Sequence, residues 1–419
     1  MFSELWEKKQ VMKNVDVAIV GGGPIGCFVG SRIAKEGFSV SLFEEHQNFG
    51  LPLRCAGLVT DRVLDFLPSD ADVVLNRVSG ARIHSPDGRI VEIGGNKPRA
   101  FVIDRTGFDR CLGQVAEQEG VVANLGCKVS SFTPSSRRLA VEMKGSCFEK
   151  YKADLFIGAD GPFSVVRRCS GFSEPQSFLY GVGAQLSHVS LDPDFVHIFV
   201  GKDIAPGFFC WIIPTDESGK SARVGLCVSS QYKSALSSCF QKIMHSSLLK
   251  NASIDGHIGG VIPLGPLKQT TDDSVMLVGD AAAQVKPTSG GGLYPGLVCG
   301  RYCAAVGVDA LENEEYSNMS LHRYHRLWYE DVGRELSMGM RMRNWFERLD
   351  DESFEKGLEL IDSKKCLSAI NRYGDIDYPS KVAYRMLGSC PGLLRLLPQA
   401  MFGNVKRWFQ GEEPGGGGT

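Results

Sequence analysis

Strand-like and helix-like patterns alternate at the start of the chain. Residues 15–20 form a short β-branched run, glycines follow it, residues 27–36 have helical composition, and residues 39–43 are again strand-like. Two apolar strands joined through a helix are typical of a βαβ unit, in which the strands are parallel and buried on both faces. Residues 1–14 do not continue this pattern and are interpreted as an N-terminal extension.

The middle of the chain follows a second pattern. Residues 78–104 alternate apolar and polar stretches around a Pro-Asp-Gly turn at 86–88, and residues 181–228 are rich in β-branched and aromatic positions. Both stretches predict antiparallel strands. The first pattern returns in four shorter segments, namely helical composition at 108–118 and 291–308 and apolar strands at 153–157 and 274–278.

The order of these patterns predicts an α/β fold, α+β over the whole chain, with more than one core in 419 residues. From residue 322 onward charges alternate with aromatics in helical patterns without strand signals. The predicted parts are a discontinuous Rossmann-like domain (15–77, 101–172 and 260–320), a domain with an antiparallel sheet (78–100 and 173–259), a C-terminal helical region (321–410) and a flexible tail (411–419).

Charge and cysteine content argue against nucleic-acid-binding and metal-binding functions. The chain has 46 Lys and Arg against 48 Asp and Glu, which gives no nucleic-acid footprint. The 13 cysteines include no CxxC pair, so no metal site is expected. Their odd number, without a secretory signal, favours reduced thiols in a cytoplasmic protein.

An apolar stretch lies near the C-terminus. Residues 386–402 are mostly apolar but contain Pro391, Arg395 and Pro398, and Lys406, Arg407 and Trp408 follow. The stretch is too interrupted to cross a bilayer. Peripheral docking at a membrane surface and packing of a helix on the protein body both stay open as interpretations.

A glycine motif directly follows the first strand. Gly21, Gly23 and Gly26 fit G-x-G-x-x-G, with Pro24 and Ile25 opening the next helix. These glycines permit a tight turn, close approach of a pyrophosphate, and close packing of helix on strand. Glu44 ends the second strand about 20 residues later, where a carboxylate binds ribose hydroxyls, and Glu45 is the adjacent alternative.

Two later strands are followed by an aspartate next to a glycine, Asp160-Gly161 and Gly279-Asp280, and these pairs indicate which dinucleotide binds. Asp160 and Asp280 each follow an apolar strand, where a carboxylate can hold ribose or ribityl hydroxyls. With the glycine motif, this order resembles the para-hydroxybenzoate-hydroxylase-like superfamily of FAD enzymes. The resemblance implies FAD as cofactor, Asp280 on the ribityl chain and Arg105 near the cofactor, with a surface salt bridge as the alternative for Arg105.

The glycine loop, residues 286–292, follows Asp280. Its residues Gly290, Gly291 and Gly292 precede a helix, so their amides can point at the pyrimidine edge of an isoalloxazine. Amide donors at that edge stabilise reduced, anionic flavin. A flexible glycine loop without this role is the alternative.

Three stretches together resemble the geranylgeranyl reductase family, including archaeal digeranylgeranylglycerophospholipid reductases. Residues 50–58 are similar to G-x-P-x-x-C-G, with Ala56 in place of a glycine. Residues 206–214 are similar to P-x-x-Y-x-W-x-F-P, with Phe209 and Ile213 in place of Tyr and Phe. Residues 279–292 are similar to the family's G-D-A-A motif and following glycines. The resemblance places Arg54, Cys55 and Ala56 at the cofactor.

The resemblance implies an FAD-dependent reductase that saturates isolated C=C bonds of geranylgeranyl chains in membrane lipids or prenyl precursors. Flavin N5 would deliver a hydride and a second group a proton, and Cys55 is the candidate acid, with a structural thiol as the alternative. Phe208, Phe209 and Trp211 would line an apolar tunnel for the isoprenoid lipid substrate, or belong to an ordinary core.

Other functions on the same fold stay open. The alternatives are an FAD-dependent monooxygenase acting on a hydrophobic substrate, a halogenase, and a flavoprotein without turnover. The halogenase signature W-x-W-x-x-I-P is represented only by its tail at Trp211–Pro214. The electron donor is external and left undetermined among NADPH, a ferredoxin-like protein and another reductant, because no second complete G-x-G-x-x-G follows a strand.

Overall fold

The computed structural model describes residues 12–95, 97–143 and 148–389. The strands are β1 (Met12–Val20), β2 (Val40–Glu44), β3 (Leu58–Val59), β4 (Val74–Val78), β5 (Gly80–His84), β6 (Ile90–Gly94), β7 (Ala100–Ile103), β8 (Val122–Leu125), β9 (Cys127–Thr133), β10 (Arg138–Met143), β11 (Phe148–Gly158), β12 (Ser177–Ser187), β13 (Phe195–Phe199), β14 (Cys210–Pro214), β15 (Ala222–Ser229), β16 (Ser253–Leu264), β17 (Thr271–Asp272) and β18 (Val275–Leu277). The helices are α1 (Pro24–Lys35), α2 (Asp61–Leu64), α3 (Arg105–Gln118), α4 (Val165–Cys169), α5 (Leu236–Met244), α6 (Leu293–Glu312), α7 (Asn318–Trp328), α8 (Arg334–Phe346), α9 (Asp351–Ile361), α10 (Lys364–Tyr373) and α11 (Pro379–Ser389).

The first sheet has a parallel centre. Its order is β17-β18-β11-β1-β2-β8, and β9 and β10 extend it through β11. Strands β18, β11, β1, β2 and β8 are parallel to one another, whereas β17 pairs antiparallel with β18 and β10 pairs antiparallel with β11 and β9. Residues Val17 to Val20 of β1 are buried on both faces, as expected for a strand covered by helices. The predicted βαβ unit and the Rossmann-like fold class are confirmed.

Helix α6 packs closely on α1 because it carries small residues. A Cβ placed on Gly296 would lie 2.9 Å from Ile25 Cδ1, and one placed on Gly300 would lie 3.3 Å from Phe28 Cδ1. Side chains at these positions would push the two helices apart. Helix α1 therefore stays fixed against the sheet with its N-terminus at the carboxyl end of β1.

The second sheet has the order β16-β12-β15-β14-β13-β5-β6. Its pairs are antiparallel except β5 with β13. The antiparallel sheet predicted from the middle of the chain is present. Strand β16 pairs with β12 as far as Leu264, so residues 260–264 belong to this sheet and not to the first, where the sequence interpretation placed them. The division into domains otherwise stays a proposal.

The C-terminal helices pack on the first and second sheets. A π-helical turn, Tyr329–Gly333, joins α7 to α8. Trp328 and Tyr324 of α7 are fully buried, with the Tyr324 hydroxyl donating to the Leu277 carbonyl at 2.8 Å. Helix α7 thus packs on the first sheet, whereas α8 to α11 continue toward the second. The predicted helical region is confirmed.

The structure bears on the sequence expectations about cysteines and about membrane-spanning segments. Cys366 in α10 is disulfide-bonded, so the expectation of reduced thiols is wrong at this position. Among the described helices, none combines the length and apolarity needed to cross a bilayer. Of the apolar C-terminal stretch, residues 390–408 lie outside the described residues.

Candidate functional site

A central cavity of about 2080 Å³ lies where the two sheets and the C-terminal helices meet. Its wall includes the carboxyl ends of β1 and β2, the segments that follow β11 and β18, one face of the second sheet, and side chains of α8 to α11. In open α/β sheets, ligands bind beyond the carboxyl ends of the strands. Nearly all the predicted cofactor residues line this cavity: Gly21, Gly23, Pro24, Ile25, Glu44, Arg54, Cys55, Ala56, Arg105, Asp160, Asp280, Gly290, Gly291 and Gly292.

The glycine motif has the geometry of a phosphate-binding turn. Gly21 has φ of +104°, and a Cβ placed there would lie 2.3 Å from the Ala159 carbonyl oxygen. A Cβ on Gly26 would lie 2.1 Å from the Gly21 carbonyl oxygen, so Gly26 packs inside the turn and does not line the cavity. Around Gly23 no atom lies within 4 Å of such a Cβ. The N-terminus of α1 therefore faces open space that fits a pyrophosphate.

Glu44 is held at the cavity wall by backbone amides. Its Oε2 accepts the Gly22 N–H at 2.8 Å, and its Oε1 accepts the His46 N–H at 2.9 Å. Its side chain is 13% exposed, whereas that of Glu45 is 46% exposed and lies 3.5 Å from Lys128 Nζ. The geometry supports Glu44 over Glu45 as the ribose partner.

Asp160 presents an oxygen without a partner. Its Oδ2 accepts the N–H groups of Val165 and Val166 at 2.6 and 3.2 Å, at the start of α4. Its Oδ1 is buried and makes no hydrogen bond within the described part of the chain. Buried acceptors are nearly always satisfied, so the unpaired oxygen fits a ligand hydroxyl or a water. Burial also raises the pKa of Asp160.

Asp280 lies beside the glycine loop. A Cβ on Gly292 would lie 2.9 Å from Asp280 Oδ1, so the carboxylate rests on the loop backbone. Burial raises the pKa of Asp280 to about 6, and the charge of Arg105 opposes this increase. A carboxylate with a hydroxyl donor from a ligand would be stabilised in its charged form.

The change Asp280→Asn is expected to stabilise the FAD-free protein at neutral pH. The ordinary pKa of 3.8 rises to about 6 on folding, so burying the charged form costs stability above pH 6. The cost is absent below both values and grows as pH rises through that window. The pKa change sets an upper limit of about 3 kcal/mol on the gain in unfolding free energy at pH 7. The actual gain is smaller, because Asp280 lines the cavity and solvent there screens its charge.

Urea unfolding of the FAD-free protein at several pH values measures this gain. The exposed Asp72→Asn variant serves as the control. An Asp280→Asn gain that does not shrink between pH 6 and pH 4 would contradict the assignment.

Arg105 forms a buried ion pair, not the surface salt bridge considered as its alternative. Its Nη2 lies 2.7 and 2.8 Å from the two Asp109 carboxylate oxygens, and both side chains are 12% exposed. Burial lowers the pKa of Arg105, but Asp109 and Cys55 raise it by more, so the guanidinium stays charged.

Arg223 lies behind Cys55 and was not anticipated from the sequence. It is 4% exposed, and its Nη1 donates to the carbonyl oxygens of Ala56 and Ile103, each at 2.9 Å. Its Nε is buried without a partner in the described residues. Burial lowers the pKa of Arg223, and Cys55 and Asp104 oppose this. Cys55 Sγ accepts the Gly57 N–H at 3.4 Å, so the sulfur lies among donors and positive charge.

The aromatic segment divides between the cavity and the core. Phe209 and Trp211 line the cavity, as predicted. Phe208 is not among the lining residues and packs on the core cluster of Leu179 and Leu264, so its position favours the core alternative over the predicted tunnel wall. Its ring stacks on Phe209 at 4.2 Å, with Arg343 5.2 Å away, because it is turned toward the second sheet and α8. Phe208 therefore supports the wall from behind.

The C-terminal helices supply a further part of the apolar wall. Helices α8, α9 and α11 and the connection from α8 to α9 contribute hydrophobic side chains to it: Met338, Met342, Trp345, Phe346, Leu349, Phe354, Leu358, Ile361, Val382, Ala383 and Met386. Helical composition was predictable here, but the face turned to the cavity depends on packing between distant segments. The sequence gives no signal for it.

A family model described as an FAD binding domain matches residues 14–297, and the chain belongs to this family. An uncharacterised protein of Methanocaldococcus jannaschii is 32% identical over 90% of this chain and 95% of that protein. Digeranylgeranylglycerophospholipid reductase 2 of Methanopyrus kandleri is 28% identical over 92% of this chain and 99% of that protein. FAD as the cofactor and the resemblance to these reductases are confirmed.

Solved structures share the fold. A geranylgeranyl bacteriochlorophyll reductase-like protein from Thermoplasma acidophilum superimposes with a TM-score of 0.81, at 23% identity, over 92% of this chain and all of that one. The p-nitrophenol 4-monooxygenase of Pseudomonas putida gives a TM-score of 0.68, at 14% identity, over 90% of this chain and 99% of that one. The fold is therefore common to proteins named as reductases and as monooxygenases.

Proposed function

We propose that this protein is an FAD-dependent reductase that saturates isolated C=C bonds in the geranylgeranyl chains of a lipid. The observation that carries the proposal is one continuous cavity that holds both the FAD determinants and a long apolar wall. At about 2080 Å³ it exceeds the 300 to 1,000 Å³ typical of a single small ligand. There is room for a dinucleotide and a second, extended molecule.

The chemistry requires two donors on either side of the double bond. Bound FAD, in its reduced form, supplies a hydride. The chain supplies the proton, and Cys55 is the proposed donor because its sulfur borders the cavity and the cofactor residues. Phe209 and Trp211 hold the alkene between these groups and exclude water by apolar contact.

The names of the relatives support a lipid substrate. The reductases of Methanopyrus kandleri and Methanothrix thermoacetophila are named for digeranylgeranylglycerophospholipid, and each aligns over more than 80% of this chain. A substrate of this class carries long isoprenoid chains, which match an apolar wall. We also propose that an external reductant reduces the FAD and that the protein contacts membranes peripherally to collect its substrate.

The direct test is anaerobic. Purified protein with its FAD reduced by dithionite is incubated with an unsaturated archaeal-type ether lipid, and the lipid mass is followed. Gains of two hydrogens per double bond are expected. Reduced FAD with no mass gain would overturn the reductase. In a parallel incubation exposed to air, gain of one oxygen atom by the lipid would establish the monooxygenase instead. Replacing dithionite by NADPH or by a reduced ferredoxin identifies the donor class.

The change Cys55→Ala is expected to lower turnover by about 10²- to 10⁴-fold, the usual effect of removing a general acid. FAD binding is expected to persist, because the thiol contributes one contact among many. Turnover is measured as lipid mass gain, and FAD content by absorbance. Cys111→Ala removes a half-buried thiol that does not line the cavity and provides the matched control. Full turnover by Cys55→Ala would remove the thiol from the mechanism.

A further inference from the structure

A buried ion pair joins the C-terminal helical region to the glycine loop. Lys286 Nζ lies 2.7 Å from Asp377 Oδ1 and 3.4 Å from the Ile376 carbonyl oxygen. The Lys286 side chain is 10% exposed and that of Asp377 is 1% exposed. Lys286 belongs to the family-matched segment, whereas Asp377 lies 80 residues beyond its end at residue 297. The pair therefore connects two separate parts of the chain.

Lys286 is folded over the loop that is predicted to face the isoalloxazine. A Cβ placed on Gly291 would lie 2.9 Å from Lys286 Cε and 3.4 Å from its Nζ. The Lys286 N–H donates to the Gly291 carbonyl at 3.1 Å, and the Gly290 N–H donates to the Lys286 carbonyl at 2.8 Å. The ammonium group is thus fixed against the backbone of Gly290 and Gly291, and it borders the cavity.

Asp377 is also held by two residues at the start of α2, Thr60 and Arg62. The Thr60 hydroxyl donates to Asp377 Oδ2 at 2.6 Å, and Arg62 Nη1 lies 3.1 Å from the same oxygen. Arg62 also forms two hydrogen bonds of 2.9 Å with Asp375. The Asp377 carboxylate is therefore kept in place even though it is almost completely buried. The two positive charges of Lys286 and Arg62 balance the two negative charges of Asp375 and Asp377.

We propose that Lys286 and Asp377 set the redox equilibrium of the bound FAD. FAD gains negative charge when it is reduced, so a positive charge beside the glycine loop favours the reduced form and a negative charge disfavours it. In a site with little water these effects are stronger than at a surface. The charge of Lys286 stabilises the reduced, more negative form of FAD. The charge of Asp377 opposes this effect and so makes it smaller.

Isosteric or nearly isosteric variants separate the two charges. Lys286→Met leaves Asp377 as the excess negative charge, and the equilibrium with a reference redox dye is expected to move about tenfold or more toward oxidised FAD. Asp377→Asn leaves Lys286 as the excess positive charge and is expected to move it by a similar factor toward reduced FAD. The double variant is expected to return close to the wild-type equilibrium, and Lys286→Arg to stay there.

The dye equilibrium does not depend on the lipid substrate, so the outcome is independent of the proposed reductase activity. Lys356→Met, which removes an exposed ammonium of α9, is the control and is expected to have no effect. Opposite shifts in the two single variants support the proposal. Shifts in the same direction, or none, show a purely structural pair and overturn it. Asn matches Asp in shape, so Asp377→Asn alone decides the sign if Lys286→Met does not fold.

Discussion

Alanine at position 23 is expected to weaken FAD binding by about ten- to 100-fold while the FAD-free protein keeps its stability. Gly23 has φ of −69°, which alanine adopts readily, and no atom lies within 4 Å of the added methyl. That empty space is where the pyrophosphate is proposed to approach the backbone. The added methyl group therefore interferes with the cofactor and with no part of the protein. Overpacking of this kind costs about 1 to 3 kcal/mol, which corresponds to the stated loss of affinity.

Two further glycine variants make the comparison decisive. Gly21→Ala is expected to destabilise the FAD-free protein as well, because its methyl meets the Ala159 carbonyl at 2.3 Å. Gly120→Ala has a similar φ of +102° but open space around the methyl, so it measures the backbone strain by itself. FAD titration and urea unfolding are the two measurements. Unchanged FAD affinity in Gly23→Ala would show that the pyrophosphate lies elsewhere.

The change Arg105→Met is expected to destabilise the protein by about 3 to 5 kcal/mol near neutral pH. It leaves the Asp109 carboxylate buried without its ion-pair partner, and breaking a buried pair in this way carries a penalty of that size. Burial already raises the pKa of Asp109 against the opposing charge of Arg105. The destabilisation is therefore present above the pKa of Asp109 and shrinks as falling pH protonates the carboxyl group.

Unfolding curves of FAD-free protein test this expectation. Arg323→Met removes one partner of an exposed pair with Asp309, whose side chains are 55% and 48% exposed, and should change stability by about 1 kcal/mol or less. Combining Arg105→Met with Asp109→Leu should restore much of the lost stability, because no uncompensated charge remains. A loss that is the same at all pH values would mean that packing, and not the charge, is responsible.

Local signals in the sequence predicted the βαβ unit at the start of the chain. The β1-α1-β2 unit depends on an apolar run, a glycine turn and a proline at the start of α1, all adjacent in sequence. The same holds for Glu44, whose contact with the Gly22 amide spans one strand and one helix. Elements that are adjacent in sequence can be recognised from the spacing of their apolar, glycine and acidic residues. The predicted β1-α1-β2 unit and the position of Glu44 at the end of β2 agree with the structure.

Contacts between distant segments were not predictable. Thr60 and Asp377 meet although 317 positions separate them, and Arg223 reaches Ala56 across 167. Neither partner has a spacing or composition that indicates the other. Phe208 and Phe209 show the same limit on a small scale, because adjacent aromatics look alike in sequence and only the orientation of the segment decides which one borders the cavity.

The wall formed by α8, α9 and α11 begins after residue 297, where the match to the FAD-binding family ends. The predicted cofactor residues all lie before this point, whereas one part of the apolar wall lies after it. Substitutions in the later stretch can alter the length or shape of the molecule that fits without disturbing a contact to FAD. A family with this arrangement can acquire new substrates by changing the cavity-facing residues of α8, α9 and α11, provided that the pair of Lys286 and Asp377 is kept.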